Sequence, residues 1–249
     1  MKTIFNADDF GLSKGVNLGI IEAYRHGPVR STTIMAGMPG FDHAVELAKG
    51  CPGLKIGVHL TLSAGRSVGG VYRTLTDGDG GFLPLAEVER LANIGGIDLL
   101  EVESEYEAQI QKVLAAGINP DHFDSHHHTH NLPGIFSVFL KLAVKYGVCA
   151  RINDKGLLPS GHEGIRTTDA FSEDFYNEAA TPENLCRILA GQGGSSLEIM
   201  CHPAYVDHYL LSKSSYNTRR AFELHILTST DTADFIAQHG IEPCSFSDL

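Results

Sequence analysis

Seven consecutive residues, Asp124-Ser125-His126-His127-His128-Thr129-His130, place four of the chain's 13 histidines within five positions. Imidazole is the commonest neutral metal ligand and the usual proton carrier near pH 7. A tract of this kind is either a metal-scavenging polar loop or part of a metal-dependent site. Its position in mid-chain, between a strand pattern and a helix pattern, favours a site. Three other segments carry matching chemistry: Asp8-Asp9 after apolar Thr3-Ile4-Phe5, His59 closing Ile56-Gly57-Val58-His59-Leu60, and His202-Pro203 after Leu197–Cys201.

Asp9, His59 and His126 together offer one carboxylate and two imidazoles. That set leaves coordination positions open for water and substrate, as a catalytic metal requires. A divalent metal so held lowers the pKa of its water and polarises a carbonyl. A neighbouring carboxylate can then accept the water's proton, and an imidazole can protonate a leaving amine. Adjacent carboxylates point oppositely on an extended strand. A turn at the strand end brings Asp8 and Asp9 to one site, one as ligand and the other as base. If the strand persists through the histidine tract, Asp124, His126, His128 and His130 share a face and His127 lies opposite. Asp124 is then a candidate partner for the second nitrogen of a metal-bound imidazole.

The elements that must position these residues alternate. Strands are expected at Lys2–Asn6, Thr32–Ala36, Lys55–Leu60, Asp121–Asp124, Val148–Ile152 and Leu197–Cys201. Helices are expected at Lys14–Arg25 with Ser13 as cap, Phe41–Lys49, Glu101–Ala116, Ile135–Tyr146, Glu183–Ala190 and Asp231–Gln238 with Thr230 as cap. Alternation of this kind predicts an α/β fold with a mainly parallel sheet, open or closed into a barrel. In such folds sites form at the C-terminal ends of the strands, where Asp8, Asp9, His59, the histidine tract and His202 all gather. Glu101, Glu103, Glu105 and Glu107 read as a solvated helix face. Ser63–Phe82, with Asp77-Gly78-Asp79-Gly80-Gly81, reads as a mobile loop without the length or terminal Glu of an EF-hand. Asp154–Tyr176, containing Pro159, Gly161, His162, Arg166, Phe171 and Tyr176, reads as a lid, a binding wall or a surface excursion.

Length and charge narrow the partners. The 249 residues fit one domain, 1–249. Thirty acidic against 19 basic residues give a net charge of −11, which argues against nucleic acid or an anionic membrane as partner. No apolar run approaches the ~20 residues of a membrane helix. The opening residues lack a signal-peptide pattern. Five cysteines without CxxC spacing suit a reducing cytoplasm. Cys201 beside His202 is a thiol nucleophile or, more simply, a small buried residue.

Asn6-Ala7-Asp8-Asp9-Phe10-Gly11-Leu12-Ser13, Gly57-Val58-His59-Leu60-Thr61, the Asp124–His130 tract and Met200-Cys201-His202-Pro203-Ala204-Tyr205 resemble, in order, the motifs of the YdjC-like carbohydrate deacetylases. The likeness spans nearly the whole chain, including Ser31-Thr32-Thr33 and Leu227-Thr228-Ser229. It implies a single-domain (β/α) barrel of the glycoside hydrolase/deacetylase type. It implies removal of an N-acetyl group from a chitooligosaccharide such as diacetylchitobiose or its phosphate. It also implies metal binding by Asp9, His59 and His126, with magnesium as the usual metal, and Asp8 as base. Two imidazole donors suit zinc or another transition metal better than oxygen-seeking magnesium.

An amide's leaving amine needs an acid. His202, stiffened by Pro203, is the first candidate and His128 the alternative. Phe171, Tyr176 and Tyr205 could stack on sugar faces, and Arg166 could hold a carboxylate or a sugar phosphate. A homodimer is a compatible assembly. The competing readings are a metal-dependent phosphoesterase or amidohydrolase, which tend to hold two or three metals, and a metal-buffering or sugar-sensing protein, which needs no free carboxylate beside the metal.

Overall fold

The first strand sets the frame. In the computed structural model, which describes residues 1–160, 164–191 and 194–249, β1 (Lys2–Phe10) is buried at every position after Lys2. Burial on both faces is the mark of a strand inside a parallel, helix-covered sheet. The other strands are β2 (Ser31–Ile34), β3 (Lys55–Leu60), β4 (His122–Ser125), β5 (Cys149–Ala150), β6 (Ala170–Ser172), β7 (Ser196–Cys201) and β8 (Glu242–Pro243). Their order is β5-β4-β3-β2-β1-β7-β6, every pairing is parallel, and β8 adds to β1 at Lys2 and Thr3. The expected (β/α) architecture is present, and the hydrogen-bonded path ends at β5 and β6, which leaves the barrel partly open.

Helices α1 (Lys14–His26), α2 (Phe41–Lys49), α3 (Leu85–Asn93), α4 (Leu99–Ala115), α5 (Ile135–Tyr146), α6 (Pro182–Gly191), α7 (His208–Lys213), α8 (Arg219–Leu227) and α9 (Thr230–Gln238) surround the sheet. Ser13 caps α1, its side chain accepting from Val16 N. The cap of α9 is Ser229, one residue before the expected Thr230, because the Ser229 hydroxyl accepts from Thr232 N. Three helices have no counterpart in the sequence reading. α7 has only six residues. α8 turns Arg220 and Glu223 inward beside Leu224, Ile226 and Leu227, so charged residues interrupt its apolar period. α3 lies close behind the glycine-rich stretch.

The acidic run of α4 is not simply a solvated face. Glu103 and Glu107 pair with Lys141 and Lys145 of α5, whereas Glu101 and Glu105 turn toward the 63–82 loop. Gly161 and His162, noted within 154–176, lie outside the described residues.

α1 fixes the segment after β7. It packs directly on backbone there: a Cβ at Gly15 would meet the Tyr205 carbonyl at 2.2 Å, and one at Gly19 would meet Ala204 Cα at 2.4 Å. Two glycines one turn apart therefore let the Ala204-Tyr205 backbone lie against the helix. Gly19→Ala gains about 1 kcal/mol of helix propensity but forces this contact apart. Urea unfolding should show a net loss of about 1–3 kcal/mol, and an unchanged midpoint would refute this close approach.

Candidate active site

The site begins with a fault in β1. The pairing of β1 with β2 shifts register between Ala7 and Phe10, and Asp9 adopts φ 73°. A bulge re-aims side chains, and the left-handed region is uncommon outside glycine, with Asp among the residues that tolerate it. The two consecutive carboxylates consequently reach one rim. The sequence reading ended this strand at Asn6, but it continues through the Asp pair to Phe10.

Asp8 faces Arg151. The guanidinium donates through Nη1 to Oδ2 at 2.7 Å and through Nη2 to Oδ1 at 2.8 Å, and Asn6 adds a third donor at 2.8 Å. Burial raises the Asp8 pKa, but Arg151 outweighs it and holds the carboxyl well below its usual range. Asp9 faces the other way. Its Oδ1 lies 3.3 Å from His59 Nε2 and 2.9 Å from His126 Nδ1, and its Oδ2 lies 2.7 Å from Arg220 Nη2. His59 Nδ1 meets Asp124 Oδ1 at 2.7 Å, across the register that pairs β3 with β4 at these two residues.

The histidine tract does not continue as a strand. β4 stops at Ser125 and a 3₁₀ turn covers His126–Asn131, with His127 at φ 56° and His128 at φ 51°. The period-two face expected for Asp124, His126, His128 and His130 is therefore broken, and each imidazole has its own surroundings. His126 meets Asp9. His127 packs at a tilt against His126, ring centroids 3.8 Å apart, and contacts Ser63 Oγ. His128 lies between Asn153 at 3.4 Å and Glu173 at 3.2 Å. His130 is buried, bonded to Ser125 Oγ and packed on Phe139; burial lowers its pKa and keeps it neutral.

Asp9, His59 and His126 can hold a metal. Their ligand atoms all lie within 4.8 Å of one another. Both Asp9 oxygens are buried, and neither receives an aligned hydrogen bond. A buried carboxylate oxygen with no aligned donor, facing two imidazole nitrogens, fits a cation held between them. Burial pushes the His59 pKa down, but Asp124, Asp9 and Asp8 outweigh it and raise it to about 10. A second group, Asp8, His59 and Asp124, meets the same distance test. Arg151 already bonds both of its carboxylates and would oppose a dication there.

Sequence reasoning missed Arg151. It is wholly buried and binds Asp8, Asp124 at 3.1 Å and Glu198 at 2.7 Å. An arginine inside the apolar Val148–Ile152 run was the available signal, since a buried guanidinium must have partners. Also missed were Arg220, Tyr216 and Glu223. Glu223 is fully buried; it accepts from the backbone N–H of His202 and the hydroxyl of Tyr216, with His202 Nδ1 3.7 Å away.

A cavity of about 850 Å³ opens over these groups, within the ~300–1,000 Å³ usual for small-molecule sites. Asp8, Asp9, His59, His126, His128, Tyr176 and His202 line it. Tyr176 stacks on Tyr216 at 4.1 Å and meets His202 edge-on. Three expected sugar contacts do not line it. Phe171 packs under the Arg151 guanidinium and against His128. Arg166 is exposed, and its carbonyl accepts from Ala150 N. Tyr205 is exposed where its N–H meets Gly15 O. Cys201 is buried against the Asn6 carbonyl, and burial raises its thiol pKa, an inert environment.

Fold and site define an α/β barrel protein whose strand ends carry a buried Asp–His–His group able to hold a metal. The model of the family described as YdjC-like protein matches residues 2–238, and the chain belongs to this family. It is 44% identical over 252 residues, 100% of both chains, to a carbohydrate deacetylase of Listeria monocytogenes serotype 4a. Among solved structures it resembles an Enterococcus faecalis protein provisionally named for cellobiose-phosphate cleavage, with TM-score 0.90, 34% identity, and coverage of 100% of this chain and 98% of that one. A family 4 carbohydrate esterase of Streptomyces lividans shares the fold at TM-score 0.53 and 15% identity, over 98% of this chain and 91% of that one.

The Arg151 cluster makes stability depend on pH. Burial raises the Glu198 carboxyl from 4.5 to about 7, with Arg151 countering only in part. The folded state thus binds this proton more tightly than the unfolded chain. The contribution is full below pH 4.5 and is lost as the pH rises through about 7. The urea midpoint of the wild type relative to Glu198→Gln should fall between those values and level off above them. A pH-independent difference would refute the assignment.

Proposed function

We propose that the protein is a carbohydrate deacetylase, a hydrolase that removes an N-acetyl group from a chitooligosaccharide such as diacetylchitobiose or its 6-phosphate. One observation carries the reading: a single cavity holds the Asp9–His59–His126 group beside a second carboxylate, Asp8, that Arg151 keeps out of the ligand set. A metal buffer or sugar sensor needs no such carboxylate. The name of the Listeria relative supports the reaction class, and the name of the Enterococcus neighbour supports testing a phosphorylated disaccharide.

Asp9, His59 and His126 would hold one divalent metal, and two nitrogen donors suit zinc or another transition metal better than magnesium. When bound, that metal supplies Lewis acidity toward the acetamide carbonyl and its attacking water. Asp124 fixes the His59 ring from behind. Asp8 accepts the water's proton. Arg151 and Asn6 together occupy Asp8 Oδ1, whereas Oδ2 accepts from Arg151 alone and keeps one lone pair free. His202 protonates the departing amine, with Glu223 holding its backbone and Tyr176 and Tyr216 bracketing its ring. His128 suits this step less well, because Asn153 and Glu173 engage both of its nitrogens. We also propose a reducing compartment such as the cytoplasm; all five cysteines are free.

Mass spectrometry of an N-acetylated oligosaccharide panel, incubated with several divalent metals, should detect loss of acetyl groups. Asp8→Asn should keep its metal and lose at least about a hundredfold in turnover. His59→Ala and His126→Ala should lose metal by elemental analysis. His202→Ala should abolish the alkaline limb of the pH–rate profile, since a general acid must be protonated to act. Full metal occupancy in both histidine variants, or an unaltered profile in His202→Ala, would overturn the corresponding role.

A further inference from the structure

The 63–82 loop contains no named strand or helix, yet α4 holds the segment from Thr61 to Thr74 at three levels. Gln109 bonds Thr61 through both N–H and carbonyl, at 2.9 and 2.7 Å. One turn earlier, the wholly buried Glu105 accepts from Val68 N at 2.9 Å and Gly69 N at 2.8 Å, with Gln109 as its third donor. One turn earlier again, Glu101 accepts from Arg73 N, Thr74 N and the Thr74 hydroxyl. Residues four apart share a helix stripe, so positions 101, 105 and 109 form one polar ladder against loop backbone. Among the described residues no lysine or arginine pairs with the Glu105 carboxylate, which is satisfied by backbone N–H groups and Gln109.

The pinned loop delivers Ser63 to the cavity wall, where its Oγ lies 2.9 Å from His127 Nδ1. His127 is exposed and has a left-handed backbone. Its ring packs at a tilt against His126, and its Nε2 has no protein partner among the described residues. An imidazole fixed at one nitrogen and open at the other, beside a proposed metal ligand, presents a directed polar contact.

We infer that His127 is a substrate-reading residue, hydrogen-bonding a hydroxyl or acetamide oxygen of the sugar that carries the reacting acetyl group, and that Glu105 is a remote positioning residue for it. The inference rests on the deacetylase reading. A contact made equally in ground and transition states changes KM and spares kcat.

The test uses the full chain and the N-acetylated oligosaccharide the wild type deacetylates best. Asparagine tolerates the left-handed backbone, so His127→Asn removes the ring without straining the turn. It should raise KM about tenfold, the scale of one lost hydrogen bond, with kcat within about twofold and the metal content unchanged. Glu105→Gln turns an amide donor toward loop N–H groups. It should raise KM in the same direction and speed hydrogen exchange at Val68 and Gly69. An unchanged KM in His127→Asn, or its loss of metal, overturns the substrate role. Faster loop exchange with an unchanged KM in Glu105→Gln overturns the positioning role. A wild type that deacetylates no saccharide defeats the deacetylase reading itself, and this inference with it.

Discussion

A guanidinium with no water contact sits at the centre of this protein. Arg151 is gripped by Asp8, Asp124 and Glu198, which come from three different strands. Removing one partner of a buried pair typically costs about 3–5 kcal/mol, because the other charge stays buried and uncompensated. The cluster is therefore a constraint on the fold as much as a feature of the site. β1, β4 and β7 cannot move relative to β5 without unpairing charge. The same contact keeps Asp8 ionised and turned away from Asp9, so two neighbouring carboxylates acquire different surroundings and can take different roles.

Backbone strain gathers at the same rim. Among the described residues four non-glycine residues have positive φ, and three of them, Asp9, His127 and His128, line the cavity. Such conformations persist where surrounding structure over-determines them. Here the surroundings are identifiable: the β1–β7 ladder below Asp9, Ser125 and Phe139 holding His130 at the far end of the tract, and the Ser63 contact on His127. Sites built on strands are held more tightly than sites on loops. This one combines both, with carboxylates on strands and most of its imidazoles on the turn that follows β4.

Much of this was legible in the sequence, and the limits are physical. Strand–helix alternation is written in apolar periodicity, which located β3, β7, α1, α2 and α5 closely. Asp9, His59 and His126 were legible because imidazoles and carboxylates at strand ends have few structural reasons to be there. The turn at His126 was not legible. A polar tract carries no apolar period, and period two was the only extrapolation available. α8 was hidden because its buried face carries Arg220 and Glu223, whose burial is sensible only beside Asp9 and His202. Glu105 read as solvated for the same reason: its partners are backbone N–H groups of a distant loop, and these leave no side-chain signature. Residues that act through partners far along the chain are the ones a linear reading loses.

Charge balance joins these threads. The buried cluster contains five carboxyl groups, from Asp8, Asp9, Asp124, Glu198 and Glu223, against the two guanidiniums of Arg151 and Arg220. Burial relieves part of the excess by favouring the protonated form of Glu198. The rest falls at Asp9, where Arg220 lies against Oδ2 and leaves Oδ1 to the two imidazoles. Asp9 can thus offer one oxygen rather than two. Asp9, His59 and His126 together can then offer a cation one oxygen and two nitrogens. The network that fixes the fold therefore also sets the chemistry: Arg151 removes Asp8 and Asp124 from competition, and Arg220 limits what Asp9 can give.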